Sequence, residues 1–160
     1  DTTLKYVGAM DISYCKSNEQ QAVAAFLVLS FPDLEVIYED YHVEPNVDSL
    51  YMAGFLAFKE VPMYKVLVDR LKENKPELWP QVTFIDGNGV LHPRGFGSAC
   101  HIGVQFDMPT VGIAKNLFHM DGIDKEKVKA LSEPLEGGQA ADLVGDSGKV
   151  WGAALRCTKE

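Results

Sequence analysis

What the chain lacks narrows the field first. Its three cysteines, Cys15, Cys100 and Cys157, are odd in number, widely spaced and without a Cys-x-x-Cys pair. Neither a disulfide framework nor a thiolate zinc site is expected from them. No Asn-x-Ser/Thr sequon occurs, and Asp1-Thr2-Thr3-Leu4-Lys5 has no basic region leading into an apolar one, so no secretory signal is expected. No apolar run approaches the roughly 18 residues that a membrane span needs. Positive charge is scarce: 15 Lys and Arg against 23 Asp and Glu leave −8. That disfavours indiscriminate polyanion binding, which depends on cations replacing counterions. It leaves open chemistry on phosphates through bound divalent cations, because such ions reverse the field of clustered acids. Repeats, low-complexity tracts and linkers are missing as well. Residues 1–160 therefore read as one domain, a monomer by default, in a reducing compartment: the cytoplasm, with the nucleus as a second location.

What is present orders itself as strands, then alternating helix and strand. Tyr6 to Tyr14 reads as a strand with Gly8 and Asp11 as exceptions, and Ala22 to Phe31 as a long apolar one. Leu34 to Val43 partly alternates apolar and polar residues, as a half-exposed strand does. Short links between the three imply an antiparallel meander. From about Glu60 to Glu73 the spacing predicts a helix with Met63, Tyr64, Leu67 and Leu71 on one face. Pro62 belongs in a first turn, which sets the expected start close by. Gln81 to Ile85 follows as a strand, Gly97 to Phe106 as a helix, and Pro109 to Ala114 as a buried strand. The segment holding Lys125, Lys127 and Lys129 shows no clear period, and Leu143 to Leu155 reads as a hairpin turning at Asp146-Ser147-Gly148. The expectation is one α/β domain with a central mixed sheet: an antiparallel three-strand meander followed by parallel strands, flanked by helices.

The most telling stretch is Asp86-Gly87-Asn88-Gly89, followed by His92-Pro93-Arg94-Gly95. An apolar strand delivers a carboxylate into a turn of Gly and Asn, where backbone and substrate can approach closely. An ordinary strand-end Asp in a turn is the alternative. Glu60 projects onto the apolar face of the first helix, where a carboxylate must be paired, protonated or bound to a cation. Its alternative is an N-terminal acid complementing the helix dipole. If the first and fourth strands are neighbours, Asp11 and Asp86 meet near the sheet centre. Oxygen ligands without Cys or paired His suit Mg²⁺, with Mn²⁺ as substitute, better than Zn²⁺. Lys115, leaving the fifth strand, can hold a phosphate as a point charge, and His92 can move a proton. These parts suit metal-assisted phosphodiester hydrolysis.

Other candidates are weaker. Gly95-Phe96-Gly97-Ser98-Ala99-Cys100 imitates a dinucleotide turn but follows His-Pro-Arg where a strand is required. His42 sits among acids on an exposed strand, His101 is expected to cap or line the helix that carries it, His119 has no evident partner, and Cys100 beside His101 does not make a nucleophile–base pair. Tyr51 is either core or a platform for a base.

The chain resembles the endonuclease V family from Tyr6 to about Leu155. The blocks that carry the resemblance are Gly8-Ala9-Met10-Asp11-Ile12-Ser13, Gly54-Phe55-Leu56-Ala57-Phe58-Lys59-Glu60, Asp86 through Gly97, and Pro109 through Lys115; the third resembles the animal branch. The resemblance implies a ribonuclease H-like fold and cleavage at the second phosphodiester 3′ to inosine. It implies single-stranded inosine-containing RNA as substrate, with deoxyinosine-containing DNA as the alternative and an inactive inosine-binding form as another. It further implies Asp11 and Asp86 as metal ligands, Glu60 as the third acid, Lys115 at the scissile phosphate and His92 nearby. A hypoxanthine pocket formed by Gly54, Leu56, Gly87, Gly89 and Gly97 is implied, with Tyr51 as the wedge filling the vacated stack. Two departures stand out: Leu50 and Ala53 replace the family's usual Pro and Pro or Ser around Tyr51, and the family's C-terminal Gly-His segment is not in this sequence.

Overall fold

The computed structural model describes residues 3–47 and 56–158. β1 (Tyr6–Cys15), β2 (Asn18–Ser30) and β3 (Val36–Glu44) form the expected antiparallel meander. α1 (Leu56–Asn74) leads through a short 3₁₀ turn into β4 (Val82–Asp86), then α2 (Ser98–Phe106) and β5 (Thr110–Ile113). The sheet order is β3-β2-β1-β4-β5, with β4 parallel to β1 and β5 parallel to β4. A five-stranded mixed sheet with helices against it is the architecture expected from the sequence.

Burial explains the layering. Met10, Ala24, Phe26, Val28 and Ile85 pack from the sheet against Met63, Tyr64, Leu67, Val68 and Leu71 of α1 and against Ala99, Ile102 and Phe106 of α2. The opposite sheet face leaves Val23, Tyr41, Val43, Phe84, Val111 and Ile113 exposed among the described residues. The expectation that residues 109–114 form a buried strand is therefore corrected. β5 lies at one end of the sheet order, its residues alternate between half-buried and exposed, and helices cover only one of its sides. Gly8, an exception within β1, is required by close approach: a Cβ there would lie 2.6 Å from Thr83 Oγ1.

A second, smaller layer follows. α3 (Lys125–Ser132) is capped by Asp124, whose side chain accepts a hydrogen bond from Lys127 N at 2.7 Å. It packs with the hairpin of β6 (Ala140–Val144) and β7 (Val150–Leu155) around Ile123, Leu143 and Ala154. No helix was expected here from apolar period; Asp124 as an N-cap three residues before Lys127 was the missed signal.

The start of α1 is a second correction. Pro62 lies inside the helix rather than in its first turn. A single buried stripe, Ala57, Glu60, Met63, Tyr64, Leu67 and Leu71, begins upstream of the proline. Burying that stripe outweighs the missing amide bond, which costs about 3 kcal/mol in a helix interior. Pro62→Ala should raise stability by about 1–3 kcal/mol in urea unfolding. A lower midpoint for the variant would show that the proline fits α1 without penalty.

Candidate active site

Parallel pairing of β1 with β4 sets Met10 opposite Ile85. Asp11 and Asp86, one residue further along each strand, therefore emerge side by side. Asp86 ends β4, and Gly87 follows at φ 153°, a conformation that side chains rarely adopt. A Cβ at Gly87 would overlap Ser98 Oγ, and one at Gly97 would overlap the Asn88 carbonyl. Both glycines are thus explained by the chain packing on itself. At Gly89 the nearest atom to a Cβ would be Gly112 N at 3.9 Å, so Gly89 keeps room for another molecule to approach. Leu56, another pocket residue expected from the sequence, opens α1. Tyr51 and Gly54 lie outside the described residues.

Lys115 Nζ donates to Asp86 Oδ2 at 2.6 Å. That bond and the Asp86 charge, with Asp11 adding less, hold the ammonium above its ordinary pKa. Glu60 arrives from the core side of α1 and is only 6% exposed. Burial first, then the charges of Asp86 and Asp11, push its carboxyl up to about 7. The dipole-complementing alternative fails, since Glu60 is buried and lies beyond the first turn of α1. Around it stand two phenols that the sequence did not single out. Tyr64, one turn along α1, is raised mainly by burial and then by Glu60. Tyr14 is raised to about 12 by burial and by Glu60, with Lys59 Nζ 4.4 Å from its ring centre. Tyr64 was legible as the i+4 neighbour of Glu60; Tyr14 required the sheet and helix to be placed together.

His92 is buried, as befits a structured site, but it faces other partners. Its Nδ1 accepts the Arg94 backbone N–H at 3.2 Å, and its ring meets Phe118 edge-on at 5.2 Å. The accepted bond leaves Nε2 as the protonated nitrogen of the neutral ring. Burial and then the Arg94 charge lower its pKa. Neither that hydrogen bond nor those causes run to the three acids.

An oxygen-only set of mutually repelling carboxylates fits a hard divalent cation in chemistry. The sign of Glu60's shift is what such a cation would relieve. As the side chains lie, no three His, Cys, Asp or Glu among the described residues stand close enough to hold one ion together. Lys115 takes the Asp86 oxygen instead.

A family model described as Endonuclease V matches residues 1–160. The chain belongs to the endonuclease V family. It is similar to Endonuclease V of Homo sapiens, 48% identical over 158 residues, covering 96% of this chain and 55% of that protein. Endonuclease V of Mus musculus is 47% identical over 158 residues, covering 96% and 46%. Among solved structures, the catalytic domain of human Endonuclease V superimposes with a TM-score of 0.86 at 45% identity, covering 97% of this chain and 63% of that one. Ciona intestinalis Endonuclease V, in complex with a 23mer DNA containing an inosine followed by a ribo-adenosine, gives 0.82 at 31% identity, covering 98% and 73%. The chain spans about half the length of the curated relatives it matches. The mixed α/β fold is that of endonuclease V structures, and a ribonuclease H-like assignment is consistent with it.

Burial and like charge at Glu60 make a prediction. Its folded pKa of about 7 lies above its ordinary 4.5, so the fold prefers the protonated form. In metal-free protein that contribution is whole below 4.5 and is lost as pH rises through 7. Its full size is roughly 3 kcal/mol. Glu60→Gln should flatten the fall in melting temperature between those two pH values. Parallel curves for variant and wild type would remove the charge from the account.

Proposed function

We propose that this chain hydrolyses the second phosphodiester 3′ to an inosine in single-stranded RNA, with Mg²⁺, or Mn²⁺ in its place, as cofactor. The observation that carries the proposal is the electrostatic convergence of Asp11, Glu60 and Asp86, with Lys115 on Asp86. Three acids within one another's field cost stability, and their arrangement makes sense for a reaction that handles charge. Membership of the endonuclease V family supplies the substrate class. In the Ciona relative's ligand, a ribonucleotide follows the inosine, which supports RNA over DNA. Inosine in a single strand also avoids most of the cost of unpairing and unstacking a base.

Within this reading each side chain has its own task. Asp11, Glu60 and Asp86 would hold the divalent cation, and the chemistry such an ion would supply is charge neutralisation at the phosphate and a more acidic water. Lys115 exchanges Asp86 for the scissile phosphate, a step suited to an exposed, flexible ammonium. His92 presents Nε2–H as a donor to the phosphate region. Gly89 admits the base edge, Gly54, Leu56, Gly87 and Gly97 complete the pocket, and Tyr51 fills the space the base leaves.

A second reading has one observation in its favour. The three acids are not gathered into one coordination set here, as suits an inosine-binding form without turnover. A single-stranded RNA carrying one inosine, its deoxyinosine DNA counterpart and inosine-free controls separate the alternatives. The expected result is one cut in the RNA, lost with chelator, with DNA cut more slowly. Asp86→Ala should lower the rate by at least about 10³-fold, equivalent to several kcal/mol of lost charge stabilisation, and retain binding. Binding by wild type without any product at millimolar Mg²⁺ or Mn²⁺ would favour the second reading. Equal or faster cleavage of DNA would overturn the RNA preference.

A further inference from the structure

Three aromatic rings stand together where α1 and α2 begin, and no role above uses them. Phe58 lies near the start of α1, two residues before Glu60, and is 63% exposed. Phe96 ends the loop that Asp86 begins and is 47% exposed. His101 sits between them on α2: its ring meets Phe58 at 4.7 Å with planes at 83°, and Phe96 at 6.2 Å with planes at 44°. The backbone fixes this group to the catalytic loop. Gly97 N donates to Gly89 O at 2.9 Å, and His101 N donates to Gly97 O at 3.1 Å. A cleft of about 680 Å³ lined by Val90, Phe96, Cys100, Val104, Pro109 and Thr110 continues from Phe96.

Exposed apolar side chains are common singly, but a contiguous group of them marks a binding surface. Both helices that carry rings start at the sheet end where Asp86 emerges. A strand whose phosphate lies at the acids must run its neighbouring nucleotides across adjoining surface. With 15 Lys and Arg against 23 Asp and Glu, the chain's overall charge does not favour holding that strand by its phosphates, which leaves its bases as the part an aromatic surface can bind. Stacking on aromatic rings contributes about 1–3 kcal/mol per base and tolerates any sequence.

We propose that Phe58, His101 and Phe96 form a stacking rail for the bases that flank the inosine in a single-stranded polynucleotide. The inference rests on the nuclease reading above and adds to it how the strand is held. It is tested by fluorescence anisotropy without divalent cation, on single-stranded RNA containing one inosine and on the same RNA with abasic sites flanking it. Phe58→Leu and Phe96→Leu keep apolar volume at exposed positions and remove the π-face. Each should weaken binding of the intact RNA by about 5–100-fold. Neither should change binding of the abasic-flanked RNA, and Phe58→Trp and Phe96→Trp should retain wild-type affinity. Equal affinity of wild type and both Leu variants for intact RNA overturns the rail alone. A loss that persists with abasic flanks, or is not rescued by Trp, also overturns it and points to a packing role or a protein partner. Failure of the wild type to bind any inosine-containing strand overturns the rail and the nuclease reading together.

Discussion

Everything at the candidate site depends on one backbone pairing, β4 alongside β1 in parallel register. Strand pairing fixes positions to within one residue, and slipping by one turns every side chain to the other face. With Met10 opposite Ile85, two acids 75 positions apart in the chain become lateral neighbours at the same sheet end. The α1 crossover that parallel strands require then lies across the sheet and carries Glu60 into their field. The Gly-rich turn is a further consequence. β4 must end just after Asp86, and α2 must begin close enough for Ser98 to occupy the space that Gly87 leaves.

The arrangement works against stability, and the rest of the fold offsets it. A carboxyl pushed to about 7 by burial and like charge costs roughly 3 kcal/mol when ionised at neutral pH. Each fully buried side chain such as Phe26 or Leu67 contributes about 1.5–3 kcal/mol. Two such contacts balance the penalty. That fits a stripe of α1 that, apart from Glu60 and the Tyr64 hydroxyl, is apolar and that persists through Pro62. A rigid stripe keeps the acid from escaping to water, where its pKa would relax and its coupling to Asp11 and Asp86 would vanish.

Much of this was legible in the sequence, and the limits are physical. Strand and helix periods located β1 through β5, because one face of each faces a helix or solvent consistently. The acids at 11, 60 and 86 stood out as polar residues where apolar ones were due. Three things were not legible. Alternation in β5 was masked by Val111 and Ile113, apolar residues that nevertheless face solvent. α3 is held by a cap and a satellite cluster rather than by a strong apolar stripe. Tyr14 beside Glu60 and Phe58 against His101 arise from contacts between elements distant in sequence, so no local spacing announces them. His92 shows the converse: it was marked by its motif, yet its immediate partners are Arg94 and Phe118.

Net charge bears on the proposed substrate, which is a polyanion. Long-range steering is unfavourable at −8, but screening confines that repulsion to about 8–10 Å at physiological salt. Within that range the relevant field is local. Lys115 is held on Asp86 at 2.6 Å, a pairing that neutralises one acid and keeps one cation where, in the proposed reaction, a phosphate would arrive. Displacing a carboxylate from an exposed ammonium costs little, since surface ion pairs contribute about 0–1 kcal/mol. A phosphodiester carries the same single negative charge as a carboxylate, so in the proposed reaction it could take that position at little cost. Under the proposed function the same exchange would leave Asp86 free to join Asp11 and Glu60, so that substrate arrival and assembly of the three acids would be one event. Discrimination then falls to contacts that carry no charge, and these are the ones the negative surface does not oppose.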